Sequence, residues 1–509
     1  MFSTIPNIIS RAFPLNPDAR AFIIAAGITD ATTIFAINEL VNSLQVNSLW
    51  TKMAAIYPFA GDAAYRLTFF GGWTHSSNGA LGNGTNSYAD TFYSTSSVTQ
   101  NDTSLGFYAR VNYTPPAGGA IDMGSFNEGT GFGIFLAAEV VTNVPRLRMY
   151  QSAVDSTGTN QQGFWIGAAG SDTRLIKDGA VLTTAANSGT FPLTARNISL
   201  GAMYSTANAS YLYYTAQQYA FAFIGSNLTN AEALTLTSLV QRYLNTLSRS
   251  IVAIPTVLDI DAQNFLVAAA ITDNTQANAI QNLVAGLKSN SLWTKMQAAY
   301  PFVGGTSTTH KFNLKSPFDT NAAFRLTFSG GYTQNSNGII PNGTNAFANT
   351  FYSMNTSGSL NDSHISVYSR TNVQKTGGKD IAALSTSPTA QTYLELRDTA
   401  NQSEVAINDG GSLASPGFTD SSGLFVGSRP DASSTFLYRN TTQLSFVKAS
   451  TGKTTVNLYL SALNNNGTAQ QFSPRNLAWA SIGSSLSVTD VSNLYTVVQA
   501  YQTALSRQV

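Results

Sequence analysis

The 509-residue chain contains no cysteine, so no disulfide framework, thiol nucleophile or thiolate-held zinc or iron–sulfur centre can be built from it. Charge is scarce too: Asp, Glu, Lys and Arg make up 10% of the residues, against roughly 25% in ordinary soluble domains. A net charge of +1 offers no basic excess to neutralise a run of phosphates, so no nucleic-acid partner is expected. No stretch approaches the ~18 consecutive apolar residues of a membrane helix. Residues 1–14 (MFSTIPNIISRAFP) also lack the basic start and small-residue cleavage site of a signal peptide. No membrane span is expected. Histidine is limited to His75, His310 and His364.

What remains is a chain with 43% hydrophobic and 11% aromatic residues, too apolar for a disordered polymer. Its polar surface must come from Asn, Ser, Thr, Gln and Gly, a composition that suits strands joined by tight turns. The length fits two domains of the size reached by large β-sandwiches.

Internal repetition fixes the architecture. Residues 28–59 and 271–302 align without a gap at an offset of 243, sharing ITD, NSLWTKM and YPF. After a 16-residue insertion in the second copy, around HKFNLKSPFDTN, AYRLTFFGGWTHSSNGALGNGTNSYADTFYS (from Ala64) faces AFRLTFSGGYTQNSNGIIPNGTNAFANTFYS (from Ala323). Weaker matches follow, SLGFYARVN with HISVYSRTN and GFWIG with GLFVG, and both copies close through FIGSNL or SIGSSL into segments ending LSR. A period near 250 residues is far too long for a solenoid, so each copy should carry its own core. The expected division is an anchoring segment 1–14, a first sandwich 15–250, a linker 251–258 and a second sandwich 259–509.

Asp30 and Asp273 are placed to cap helices whose apolar faces are Ile34, Ile37, Val41 and Leu44, and Ala277, Ile280, Leu283 and Leu287. NSLWTKM reads as a helical continuation, with Trp50 and Trp293 packed on the sandwich. Short β-rich runs such as RLTFF, TFYS, LGFYARV and FWIG fill the middle of each copy between Asn-Gly and Gly-Gly turns. Closing helices should start near Thr229, with Leu236, Leu239, Tyr243 and Leu247 as a stripe, and near Thr489, through Leu494, Val498 and Tyr501.

This order of elements, with its SLWTKM…YPF, AFRLTFSGGYTQNSNGIIPNGTNAFANTF and IGSSL…LSR strings, resembles the concanavalin A-like lectin/glucanase (LamG-like) jelly-roll modules found in bacteriophage structural proteins. The resemblance implies a mainly β chain of two tandem jelly-roll sandwiches with helical flanks. It also implies a virion component such as a head fibre, spike or tail fibre. Because that fold hosts lectins, glycosidases and inert spacers alike, function must be argued from sites.

No catalytic set survives inspection. His75 faces Gln334 in the other copy, His310 lies in the insertion and His364 is aligned with Leu105, so Ser-His catalysis has no matched histidine; surface or turn histidines are expected. Glucanases of this fold resemble one another in a Glu-x-Asp-x-x-Glu strand, which is absent. The nearest string, Glu395 to Asp398, puts its carboxylates on opposite faces of a strand. Asp18/Asp261 and Asp30/Asp273 read as helix caps. Asn101-Asp102 and Asn361-Asp362 read as Asx turns rather than calcium ligands. The chain is therefore expected to be no enzyme and to need no metal or cofactor.

Recognition has one candidate, residues 71–86 with their partner 330–345. A sugar wants an aromatic face and amide groups, and Trp73 or Tyr332 with Asn78, Asn86, Asn337 and Asn345 would supply both. The same Gly-Gly and Asn-Gly pairs would also be needed simply to turn a hairpin. Phe2, Ile5, Ile8, Ile9 and Phe13 form an apolar stripe too short to fold alone, so residues 1–14 are expected to dock on other virion proteins, capsid or tail, in a homo-oligomeric assembly. The expected location is the virion, where the two lectin-like domains would serve host-surface glycan attachment or capsid decoration, with an architectural spacer or adaptor and a polysaccharide-degrading hydrolase as the alternative functions.

Overall fold

A computed structural model of the chain describes residues 15–60, 67–116, 118–127, 132–141, 143–150, 152–158, 160–187, 195–205, 209–386, 389–411 and 413–509. The expected anchoring segment 1–14 lies outside the described residues. The chain divides into two compact units, Met1–Ala253 and Ile254–Val509.

Among the described residues each unit begins with two helices, Pro17–Ala25 and Ala31–Val46 in the first, Ile260–Ala268 and Asn274–Ser289 in the second. Asp30 and Asp273 cap as expected, accepting from the Thr33 and Gln276 N–H groups, and the stripes behind them are buried. Asp18 and Asp261 do not cap. Pro17 fixes the first helical φ, which leaves Asn16 as the cap of one short helix, while Asp259 caps the other. NSLWTKM is not a helical continuation either. Ser48 and Ser291 take positive φ, the helix stops, and a single 3₁₀ turn (Trp50–Lys52, Trp293–Lys295) leads into a strand. Trp50 and Trp293 are thereby left half-exposed instead of sealed against the core.

Both units are two-sheet jelly-roll sandwiches, mainly β. In the first, one sheet runs Ala180–Ala186, Asp172–Lys177, Gly163–Ala169, Thr103–Ala109, Gln218–Gly225, Gly79–Leu81, Thr74–Ser76, with Met53–Tyr57 also paired to Gln218–Gly225. The facing sheet runs Ser152–Asp155, Val144–Tyr150, Phe132–Val141, Met123–Asn127, Asn197–Leu200, Tyr88–Ser94, Thr68–Phe70, with a hairpin of Met203–Ser205 and Ser210–Leu212 at its side. The second unit repeats this order strand for strand. Leu105, Phe107, Leu136, Leu147, Trp165 and Ile198 meet between the first pair of sheets; Ile365, Val367, Leu394, Val405, Phe425 and Leu458 meet between the second. Each such side chain contributes roughly 1.5–3 kcal/mol by leaving water.

The closing helices, Asn230–Thr246 and Val488–Ala504, begin with reciprocal capping boxes, Thr229 with Glu232 and Ser487 with Asp490. They cover the sheet that holds Gln218–Gly225 or its counterpart Leu477–Gly483, and Tyr243 meets Phe221 at 6.3 Å. The LSR ending is a latch. Arg249 donates to the Phe59 carbonyl, and Arg507 to those of Phe302, Pro301 and Ala478, tying the last turn of each unit to the YPF segment near its start.

Candidate functional site

In the loop 71–86 and its partner 330–345, position is dictated by the backbone. Gly71 (φ +75) and Gly330 (φ +74) turn in the left-handed region, and a Cβ on either would fall 2.1 Å from the carbonyl oxygen of Asn86 or Asn345. The Asn86 side-chain oxygen accepts from the Gly72 N–H (3.0 Å) and the Asn83 amide (2.7 Å); Asn345 repeats this with Gly331 (2.9 Å) and Asn342 (2.8 Å). Trp73 turns inward. Its indole N–H donates to the Tyr88 carbonyl (3.1 Å), and its ring meets Phe69 edge-on at 5.3 Å. Tyr332 does the same in the second copy, with its hydroxyl on the Leu460 carbonyl and Phe328 at 5.3 Å.

Trp73 and Tyr332, expected as a sugar platform, are both partly buried and pack against the cores of their units. Asn78 and Asn337 sit at the tips of the hairpins that follow, their N–H groups donating to Ser76 and Asn335. The six residues lie in matched loops of the two units.

Immediately beyond Trp73, the first unit carries a surface that the sequence reading missed. Strand Tyr88–Ser94 sends Ala89 and Thr91 inward and Tyr88 and Asp90 outward. Phe70, directly opposite Tyr88 in the neighbouring strand, stacks on it at 4.7 Å and 13°. From the side hairpin, Tyr211 stacks on Tyr88 at 3.6 Å and 17°, and Tyr204 meets Tyr211 edge-on at 5.2 Å. The Arg196 guanidinium lies 5.3 Å over Tyr204. Asp90 accepts from the Phe92 N–H (2.7 Å) and the Asn197 amide (3.0 Å). Phe70 remains 42% exposed and the three tyrosines are half-buried. Burial, followed by the Asp90 charge, pushes the Tyr211 hydroxyl well above its ordinary value, so it stays a neutral donor. The signal available in the sequence was a local excess of tyrosine, Tyr204, Tyr211, Tyr213 and Tyr214, where the second copy reads NNNGTAQQ. There Ser329, Asn464 and Ala469 replace Phe70, Tyr204 and Tyr211, leaving one stacked pair, Phe347 on Tyr459 at 4.7 Å.

The carboxylates weighed as catalytic or calcium-binding candidates are engaged in structure. Glu395 and Glu404, opposite each other on adjacent strands, both accept from Lys379 Nζ at 2.7 Å, and Glu395 also takes the Gly377 N–H. Asp398 accepts the N–H groups of Ala400 and Gln402 in a turn. Asp102 and Asp362 bind the backbone N–H of Asn227 and Ser485.

The expectation of surface histidines is corrected for two of the three. His310 and His364 are 1% and 0% exposed, and burial holds both near pKa 4. His364 corresponds to Ser104, not Leu105, since both residues pair with the strand that ends at Gly225 or Gly483. Its Nε2 lies 3.0 Å from Ser481 Oγ, but the pair is sealed beneath the closing segment.

No protein-family model matches the chain, and no curated protein matches it. Solved structures are similar at low identity. The CBM40 domain of Ruminococcus gnavus IT-sialidase bound to α2,3-sialyllactose is 12% identical over 29% of this chain and 92% of that one, with a TM-score of 0.23. Domains LG4-5 of the mouse laminin α1 chain are 9% identical over 78% and 86%, with a TM-score of 0.22. Trypanosoma rangeli sialidase in complex with sialic acid is 9% identical over 72% and 60%, with a TM-score of 0.32. Values this low carry no argument about what the chain binds.

Proposed function

We propose that the chain is a non-enzymatic structural protein of a bacteriophage particle, of head-fibre, spike or tail-fibre type, whose first lectin-like sandwich contacts host-surface glycan through its outer sheet. The observation that carries the binding part is the Phe70–Tyr88–Tyr211–Tyr204 cluster. Stacked rings offer an apolar plane to the C–H face of a pyranose, while Asp90, Asn197 and Arg196 at its margin suit hydroxyl groups. The duplication and the neutral Asn/Ser/Thr surface support the virion part, with residues 1–14 as the attachment to capsid or tail proteins and a homo-oligomer as the assembled form.

The full-length protein on a glycan array should bind a saccharide family, and Tyr88→Ala with Tyr211→Ala should abolish the signal. Silence on the array, together with normal adsorption of particles lacking the protein, would remove the recognition reading. Deletion of residues 1–14 should prevent incorporation into particles, and unchanged incorporation would remove the anchoring role.

A purely architectural spacer is the second reading, and the loss of three of the four rings in the second copy favours it for that copy. Hydrolysis is the weaker alternative, because Glu395 and Glu404 are already held by one lysine. Release of reducing ends from capsular polysaccharide, lost on Glu395→Gln, would establish it.

A further inference from the structure

The two copies differ along one strand edge. Met296–Tyr300 is covered by the second copy's insertion: the Leu314 N–H donates to the Ala299 carbonyl (2.8 Å), and the Asn313 side chain accepts from the Ala299 N–H (2.9 Å) and donates to the Gln297 carbonyl (3.2 Å). Leu314 and Phe312 are buried there, and Lys315 Nζ lies 4.1 Å from the centre of the Trp293 ring, within electrostatic reach of Asp261. The first copy has no such insertion. Its equivalent strand, Met53–Tyr57, pairs on one side only among the described residues, and Met53, Ala55 and Ile56 are half-buried where Met296, Ala298 and Ala299 are sealed.

Beside that strand is a cleft of about 300 Å³, lined by Phe22, Ile37, Val41, Trp50 and Ile56, with Asp18 at its rim. Asp18 is the counterpart of Asp261, which pairs with Lys288 at 2.6 Å. In the first copy Gln45 stands in place of that lysine and donates to Asp18, which has no ion pair among the described residues.

We propose that the cleft along Met53–Tyr57 is a docking site for a short turn-forming segment of a partner protein, in which an aromatic and an aliphatic residue flank an asparagine and a lysine follows. The second copy supplies the template, filling the equivalent edge with Phe312-Asn313-Leu314-Lys315 from its own chain. As in the template, the partner's asparagine side chain would accept from the outward N–H of Ile56 and its next backbone N–H would donate to the Ile56 C=O, with two apolar side chains seated in the cleft and the ammonium against Asp18 and the Trp50 face.

The probe is a fluorescein-labelled peptide HKFNLKSPF, residues 310–318, titrated into the full-length chain by anisotropy. Saturable one-to-one binding is expected, weakened at least tenfold by Asp18→Lys, by Trp50→Ala and by alanine at the peptide's asparagine. Hydrogen exchange in the first unit should be unchanged, as evidence that the variants fold. Grafting residues 305–320 after Gly61 should fill the cleft in cis and abolish binding. No binding, or affinity indifferent to these changes, would overturn the proposal. So would a dimer that the graft dissolves, which assigns the cleft to a second copy, or tighter peptide binding after deletion of residues 1–14, which assigns it to that segment.

Discussion

Both copies bury an aspartate at the same place, and each treats it differently. Asp380 is met by Arg475 at 2.9 Å, with both side chains at 0% exposure, and by the Ser473 hydroxyl. In the first copy the arginine position is Gln217, and among the described residues the Asp122 carboxyl accepts from the Tyr219 hydroxyl (2.8 Å) and the Ala138 N–H (2.8 Å). Burial, with the nearby Glu139 charge adding to it, outweighs these bonds and pushes Asp122 up to about 6. Burial raises Asp380 as well, but there Arg475 works against it, so one sandwich holds its buried carboxyl in an ion pair where its twin holds one with no cation beside it among the described residues. The surrounding sheets tolerate either, since they are held by packing and backbone pairing rather than by this charge.

The contrast is most sharply broken by Arg475→Gln, which leaves Asp380 in the first copy's situation without its tyrosine. A loss of about 3–5 kcal/mol in the second unit is expected, read by hydrogen exchange in strand Ile381–Thr386. Next in size is the pH response of the first unit. Asp122 is raised from its ordinary 3.8 to about 6 on folding, so its contribution is fully present below about 4 and lost as pH rises through 6. That change is on the order of 3 kcal/mol, and Asp122→Asn should remove it in urea titrations at pH 4 and pH 8.

His310 and His364 slope the other way. Held near 4 by burial, they contribute stability present above about 6.5 that disappears as pH falls toward 4. Asp380 and Glu395, both raised by burial, oppose them, so the effect is read as the difference between wild type and His364→Asn. The smallest expected effect is a shared one. Asp30→Ala and Asp273→Ala should each cost about 1 kcal/mol, equally in both units.

The features legible in the sequence are those whose partners lie close by. Asp30 and Asp273 announce helices because the N–H groups they accept from are three residues on, and the Gly-Gly loops announce turns because φ is a local property. The NSLWTKM break was hidden because Ser48 and Ser291 adopt an uncommon left-handed conformation that no glycine advertised. The aromatic cluster was hidden because Tyr211 finds Tyr88 across more than a hundred residues, and Arg475 finds Asp380 across 95. The inward hydrogen bond of Trp73 was not legible because an indole beside a turn looks alike in sequence whether it faces water or core.

Gln218–Gly225 is the last strand of its unit to be made, yet it lies inside the sheet, with Thr103–Ala109 on one flank and Gly79–Leu81 and Met53–Tyr57 on the other. Until it emerges from the ribosome those flanks are unzipped and sticky, so a nascent first module must wait, vulnerable to mispairing, for its keystone to arrive. A chain stalled just short of residue 218 should be a chaperone client, and one stalled well past Arg249, with the latch clear of the exit tunnel, should not.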